Sequence, residues 1–183
     1  NKPLSIQLEL NNICNLMCPQ CVRNEIKDGK LQWRYDNLNK VDTTLPTFRT
    51  AYKNIKHPVR VIRFNGNISE PLASQEFISI CKFLREETDT SIQVSTHGSI
   101  KTPAYWKELG EVFKGDPRSI IFFSLDGVGQ KSLSNYRVGA NFNKVIKNAQ
   151  SFIDAGGKAI WRMIIFKHNQ HQMEEARALA ENM

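Results

Sequence analysis

Apolar and polar residues alternate with a period of two in Leu4-Ser-Ile-Gln-Leu-Glu-Leu10, the pattern of a half-buried strand. Similar stretches occur at Val59 to Phe64, Ser91 to Thr96, Ser119 to Leu125 and Ala159 to Phe166. Between them the period lengthens to that of a helix. Thr43 or Thr44 is placed to cap a helix reaching about Lys56, with Leu45, Phe48, Tyr52 and Ile55 on its inner face and Pro58 ending it. Further helices are predicted from about Ser74 to Glu87, Pro103 to Phe113, Phe142 to Ala155 and from roughly Gln170 onward, with Gly156-Gly157 closing the fourth. Five strands alternating with five helices predict an α/β fold of parallel strands joined by right-handed crossovers. Either an open doubly wound sheet or part of a barrel satisfies that order.

The strands carry one further signal. A parallel sheet covered on both faces reads as nearly all apolar, yet Gln7 and Glu9, Gln93 and Ser95, Ser124, and Arg162 put polar groups on one face of several strands. Any one of these is easily a satisfied core polar group; as a set they suggest a lumen that holds a ligand. The connection from Val22 to Asp42 is polar and long, with Asp28-Gly29 and Asn37 as turn formers. Its length points to a lid or substrate loop.

At 183 residues and 40% hydrophobic content, one domain covering residues 1–183 with a core of its own is expected. No apolar run approaches the roughly 18 residues of a membrane helix, and Asn1-Lys2-Pro3 does not open a signal peptide. A cytoplasmic protein with no membrane partner is expected. The chain begins without Met and stops within the helical pattern from Glu174 to Met183, so truncation at both ends is expected too.

The net charge of +7 is concentrated. Residues 22–63 hold ten Lys or Arg against four Asp or Glu. This segment is either a solvated face or a field that steers a peptide, an anionic substrate or a nucleic acid, with Trp33 and Tyr35 beside Arg34 available to stack on bases.

Of the four cysteines, Cys14, Cys18 and Cys21 crowd into one loop directly after the first strand, and Cys81 stands alone on the apolar face of a helix, where it reads as core. Three clustered thiols suit a metal or redox site better than a disulfide framework. Three thiolates on a four-iron cluster leave one iron open, as a catalytic metal requires.

This C-x3-C-x2-C loop after a first strand resembles the radical S-adenosylmethionine (radical SAM) superfamily, whose fold is a partial (βα) TIM-like barrel. About five βα units of the six in that barrel are present here. The resemblance implies that Cys14, Cys18 and Cys21 ligate three irons of a 4Fe-4S cluster and that SAM chelates the fourth. An external electron donor such as flavodoxin or ferredoxin would reduce the cluster, and cleavage of SAM would yield a 5'-deoxyadenosyl radical that abstracts hydrogen from a substrate. Other turns align with the family as well. Asn65-Gly66-Asn67-Ile68-Ser69-Glu70-Pro71 resembles its glycine-rich turn, which implies SAM contacts at Gly66, Ser69 and Glu70, although Ile68 and Ser69 stand where two glycines are common. Ser95-Thr96-His97-Gly98 and Ser124-Leu-Asp-Gly127 resemble the turns after the third and fourth strands, with Ser95 and Ser124 as implied contacts. The second of these is frequent in members that modify peptides or proteins. Arg137 matches an arginine for the SAM carboxylate. Gln20 departs from the pattern, since an aromatic residue near adenine is usual before the third cysteine.

Two other readings stand beside this one. Cys18-Pro-Gln-Cys21 after a strand is compatible with a thiol oxidoreductase. The cysteines together with the basic segment are compatible with a non-enzymatic metal-binding module for RNA, in which a distant group such as His57 supplies a fourth zinc ligand.

Overall fold

The computed structural model describes residues 2–34 and 39–183, so Tyr35 and Asn37 lie outside the described residues. The elements in order are β1 (Leu4–Leu8), β2 (Asn24–Lys27), β3 (Lys30–Trp33), α1 (Leu45–Lys53), β4 (Val59–Asn65), α2 (Phe77–Glu87), β5 (Ser91–Thr96), α3 (Pro103–Phe113), β6 (Ile120–Ser124), α4 (Gly129–Ser134), α5 (Phe142–Asp154), β7 (Ala159–Arg162) and α6 (Met173–Glu181).

Five strands form one sheet in the order β1-β4-β5-β6-β7, and every neighbouring pair is parallel. Consecutive βα units therefore add strands to one edge in turn, as in a barrel wall. A doubly wound sheet would reverse direction partway. Among the described residues β1 and β7 are edges and the wall is not closed.

The helices lie on one side. α1 packs on α2, α2 on α3 and α3 on α5, over a core that includes Phe64, Phe77, Leu84, Ile92, Trp106, Leu109, Ile121 and Phe152, all essentially inaccessible. Trp106 meets Phe152 edge-on, and Phe113 does the same. Cys81 is fully buried in this layer, and burial raises its thiol pKa, as its core reading expects. No described helix is long and apolar enough to cross a membrane.

Register aligns the other face of the sheet. Gln7, Arg63, Gln93 and Ile120 form one row, Asn65, Ser95, Phe122 and Ile160 the next, and Ser124 with Arg162 a third. This is the polar lumen face anticipated from the alternation, and Arg63 joins it.

Three local expectations are corrected. The connection from Val22 to Asp42 is not a plain loop: it contains the antiparallel hairpin β2–β3. Asp28 and Gly29 both take positive φ (51° and 74°), the pairing that a two-residue hairpin turn demands. A short helix, α4, follows the polar turn at Asp126-Gly127, in a stretch where the sequence pattern predicts no element before Phe142. The fifth main strand ends at Arg162 rather than Phe166. Beyond it the backbone finds side-chain acceptors: Ile164 N donates to Asp126 Oδ1 (2.6 Å) and Phe166 N to Asn169 Oδ1 (2.7 Å), so the ladder has no claim on them.

A second polar knot holds the opposite end of the sheet. Asp116, before β6, accepts from the Ser119 hydroxyl (2.8 Å) and from Arg118 N (3.1 Å), and pairs with Arg85 on α2 (3.4 Å). Ser119 Oγ in turn accepts from Ile92 N (2.9 Å) on β5. Burial alone would raise the Asp116 carboxyl, but the hydroxyls of Ser119 and Ser91 and the N–H groups of Arg118 outweigh it and hold the pKa at about 2. Because that pKa is depressed, its stabilising contribution is complete above the ordinary carboxylate range and is lost as pH falls towards 2. Asp116→Ala is expected to lower unfolding free energy by about 2–4 kcal/mol at neutral pH. The same change should flatten the acid limb of stability between roughly pH 4 and pH 2. Both are read from thermal melts across pH.

Candidate functional site

All three loop cysteines line one cavity of about 350 Å³ at the C-terminal ends of the sheet strands. Gln20, Gly66, Ser69, Glu70, Ser95, Ser124 and Arg137 line the same cavity. Every residue singled out from the sequence for a cofactor thus borders one space, although the residues come from segments more than a hundred positions apart.

The cysteine loop is held from three sides. Asn11, buried just after β1, donates through Nδ2 to Glu70 O (3.1 Å) and accepts from Ile13 N (2.7 Å), while Glu70 N donates to Ile13 O (2.7 Å). Met17 N donates to Val138 O (3.0 Å), next to Arg137. Cys18 O receives both Cys21 N (3.0 Å) and Asn24 Nδ2 (2.9 Å), which closes the turn between the last two cysteines. Leu16, 2% exposed, anchors the loop in the core.

The turn after β4 is equally constrained. Glu9 accepts from Asn67 N (3.0 Å), Ile68 N (3.2 Å) and the Ser69 hydroxyl (2.8 Å). Arg23, from the cysteine loop, donates to Ile68 O and Asn12 O. At Gly66 a Cβ would stand 1.6 Å from Ser69 O, so only glycine fits the turn. Glu9 was visible in the sequence only as a polar strand residue, and Arg23 only as part of a charge count. Their roles depend on contacts that sequence spacing does not reveal.

Glu70 is 2% exposed and its carboxylate is already engaged. Leu72 N (3.2 Å) and the Thr96 hydroxyl (2.6 Å) donate to one oxygen, and His97 N (3.0 Å) to the other. His97 Nδ1 accepts from Ser99 N (3.0 Å), which leaves its proton on Nε2, 3.2 Å from Glu70 but misaligned for a hydrogen bond. Burial lowers the His97 pKa in spite of that carboxylate, so the ring is neutral at pH 7.

Arg137 is set by Asp126, whose carboxylate receives its Nε–H (2.6 Å) and the backbone N–H of Ile164 (2.6 Å). The guanidinium lies over the Tyr136 ring and its Nη1 is 3.9 Å from Cys18 Sγ. Burial raises the Cys18 thiol pKa and Arg137 opposes the rise. Burial also pushes Cys14 up to about 11. A raised Cys18 pKa works against that thiol as the nucleophile of a Cys18-Cys21 exchange pair.

The donor set fits an iron-sulfur cluster better than a single ion. Among the described residues no three His, Cys, Asp or Glu side chains converge tightly enough for one metal ion; the thiols border a common cavity instead. His57 precedes β4, at the far end of the seven-residue strand that leads to the cavity, about 20 Å away, so it cannot supply a fourth ligand. Trp33, offered from the sequence as a base-stacking ring, is covered by the Arg23 guanidinium at 4.5 Å.

No protein-family model matches the chain. The 7,8-dihydro-6-hydroxymethylpterin dimethyltransferase of Methanocaldococcus jannaschii is 26% identical over 128 residues, covering 68% of this chain and 22% of that protein. Among solved structures, anSMEcpe with bound AdoMet superposes with a TM-score of 0.71 at 17% identity, covering 99% of this chain and 47% of that one. Streptococcus suis SuiB bound to S-adenosylmethionine gives 0.69 at 17% identity, with 97% and 38% covered. Methylornithine synthase (PylB) gives 0.58 at 15%, with 88% and 44% covered. The chain spans less than half the length of each of these proteins. The three structural neighbours are radical SAM enzymes. The chain therefore shares the fold of these solved structures, with its three-cysteine loop after the first strand.

Proposed function

We propose that the protein is a radical SAM enzyme in which Cys14, Cys18 and Cys21 hold three irons of a 4Fe-4S cluster and the surrounding turns hold SAM. The observation that carries the reading is the single cavity bordered by all three thiols and by the turns after β4, β5 and β6. When bound and reduced, such a cluster supplies electron transfer to SAM and hence a 5'-deoxyadenosyl radical.

The chain's own residues do the positioning. Glu9 and Arg23 clamp the 66–69 turn from opposite sides and keep its backbone close to the cavity. Asp126 fixes the Arg137 guanidinium beside Cys18, where its remaining N–H groups suit the carboxylate of SAM. The Glu70 carboxylate holds the Thr96-His97 turn in place, while its backbone ties the cysteine loop to the same wall. Gln20 is exposed at the rim, where its backbone would meet the adenine of bound SAM. Ser95 and Ser124 supply hydroxyls at the mouth of the lumen.

A peptide substrate and an external flavodoxin- or ferredoxin-type donor belong to this reading. Two structural neighbours support the peptide: SuiB is bound to the precursor peptide SuiA, and anSMEcpe to AdoMet with the Cp18Cys peptide.

Two measurements test the reading. Anaerobic reconstitution should load about four irons per chain, and incubation with SAM and dithionite should release 5'-deoxyadenosine. Cys18→Ala should lose both, and zinc uptake without SAM cleavage would refute the assignment. Gly66→Ala should keep the iron content but weaken SAM binding by about tenfold or more, because the added methyl must displace Ser69 O. Equilibrium binding of SAM to the reconstituted protein, compared with its iron content, checks that separation.

A further inference from the structure

The sheet has a second cavity on its lumen face, at the end opposite the cysteines. It measures about 450 Å³ and is bordered by Ser5 on β1, Arg60 and Arg63 on β4, Ser91 and Gln93 on β5, and Arg118 just before β6. Three of these are arginines, and no Asp or Glu lines the cavity. Arg60 is there because of a bulge. Leu4 pairs with Val59 and Ser5 with Val61, so Arg60 is an extra residue without a partner on β1. Val59 and Ile62 both join the helix-side core, while Arg60 and Val61 in succession border the cavity. A bulge re-aims a side chain in this way. Strict alternation counted back from Arg63 would send position 60 to the helices.

The polar groups around this space are donors. Arg63 donates from Nε to Gln93 Oε1 (3.0 Å) and from Nη1 to the Ser5 hydroxyl. The first contact turns the Gln93 amide so that its NH2 is left for a ligand, and the second leaves the Ser5 hydroxyl its own proton to give. Ser5 is level with Val61 in the sheet, so the Arg63 head group reaches back along β4 towards Arg60. Ser91, 1% exposed, stands at the same level on β5. Its hydroxyl lies close enough to Asp116 to favour that carboxylate's charge, yet it completes no hydrogen bond and is buried without a partner. A buried hydroxyl in that state is costly unless an occupant of the cavity takes it. Arg60 and Arg63 form no ion pair within 4.0 Å among the described residues, whereas Arg118 pairs with Asp116 (3.3 Å), which Arg85 shares (3.4 Å).

Even with Asp116 assigned wholly to Arg118, two positive charges remain uncompensated on the cavity wall. A phosphate monoester carries about −1.5 to −2 at neutral pH and accepts through three oxygens. That matches two guanidinium groups and a lining of donors better than a single carboxylate does. The volume falls within the roughly 300 to 1,000 Å³ of small-molecule sites. We infer that the lower cavity is a phosphate site, with Arg60 and Arg63 as its principal ligands and Ser5, Ser91 and Gln93 as neutral donors. Its occupant is free phosphate or the phosphate end of a small ester. The inference goes beyond the radical SAM reading and does not rest on it, because none of these residues borders the cysteine cavity.

Site-mapped phenylglyoxal modification of the full chain tests the site without relying on turnover. Inorganic phosphate should slow modification of Arg60 and Arg63 by about fivefold or more, as charge-assisted bonds to a dianion would. Methyl phosphate separates the two sources: equal protection assigns the phosphate end of an ester, and none assigns the free ion. Dimethyl phosphate, with one charge fewer, and acetate should leave both arginines nearly unchanged, and Arg34 and Arg177 should be unaffected throughout. Arg60→Gln, at an exposed position with no ion pair of its own among the described residues, should keep the melting temperature and abolish protection of Arg63. Absence of protection by inorganic phosphate, equal protection of Arg34 and Arg177, equal protection by dimethyl phosphate or acetate, or undiminished protection of Arg63 in Arg60→Gln would each overturn the assignment.

Discussion

The candidate site depends on the burial of one carboxylate. Glu70 is out of contact with water, and such a group costs several kcal/mol unless donors replace its hydration. Here the donors come from Leu72, Thr96 and His97, while the Glu70 backbone reaches Ile13 and Asn11. The loops that follow three adjacent strands, β1, β4 and β5, are thereby tied to a single residue. Release of any one loop would strand the charge, so the three are expected to move or stay together. The neutral His97 beside it belongs to the same arrangement: burial that disfavours its protonation keeps a second charge out of the knot.

Around that knot the protein uses charge sparingly and locally. The basic character of residues 22–63 is an average over several different fates. Arg23 props the 66–69 turn and covers Trp33, and Arg49 pairs with Glu87 on the outer helices. Arg63 turns into the lumen. A net charge spread over a segment therefore says little about a partner until each side chain has a direction.

The one-sided sheet explains why the site lies where it does. Apolar residues of every strand face the helices, which pack in sequence along that side, and the alternating positions are free to be polar because only the lumen sees them. The C-terminal ends of parallel strands gather the loops, so the cysteines and the residues of the later turns collect at one rim.

Much of this was legible in the residue order. Periods of two and 3.6 locate five main strands and their helices because they report which faces are dry, and three thiols in eight residues state a shared centre wherever the loop is placed. The Asp28-Gly29 hairpin left a signal too, but within a polar segment that carried no strong alternation. Tertiary structure alone decided the rest. Glu9 and Arg23 clamp a turn nearly fifty residues or more away, Asp126 takes the Ile164 N–H that would otherwise lengthen β7, and Arg63 reaches Gln93 on the neighbouring strand and Ser5 on β1. Periodicity records the environment of each residue along its own element. The partner a polar group finds is set by strand order and register, which bring distant segments together and leave no local trace in the chain.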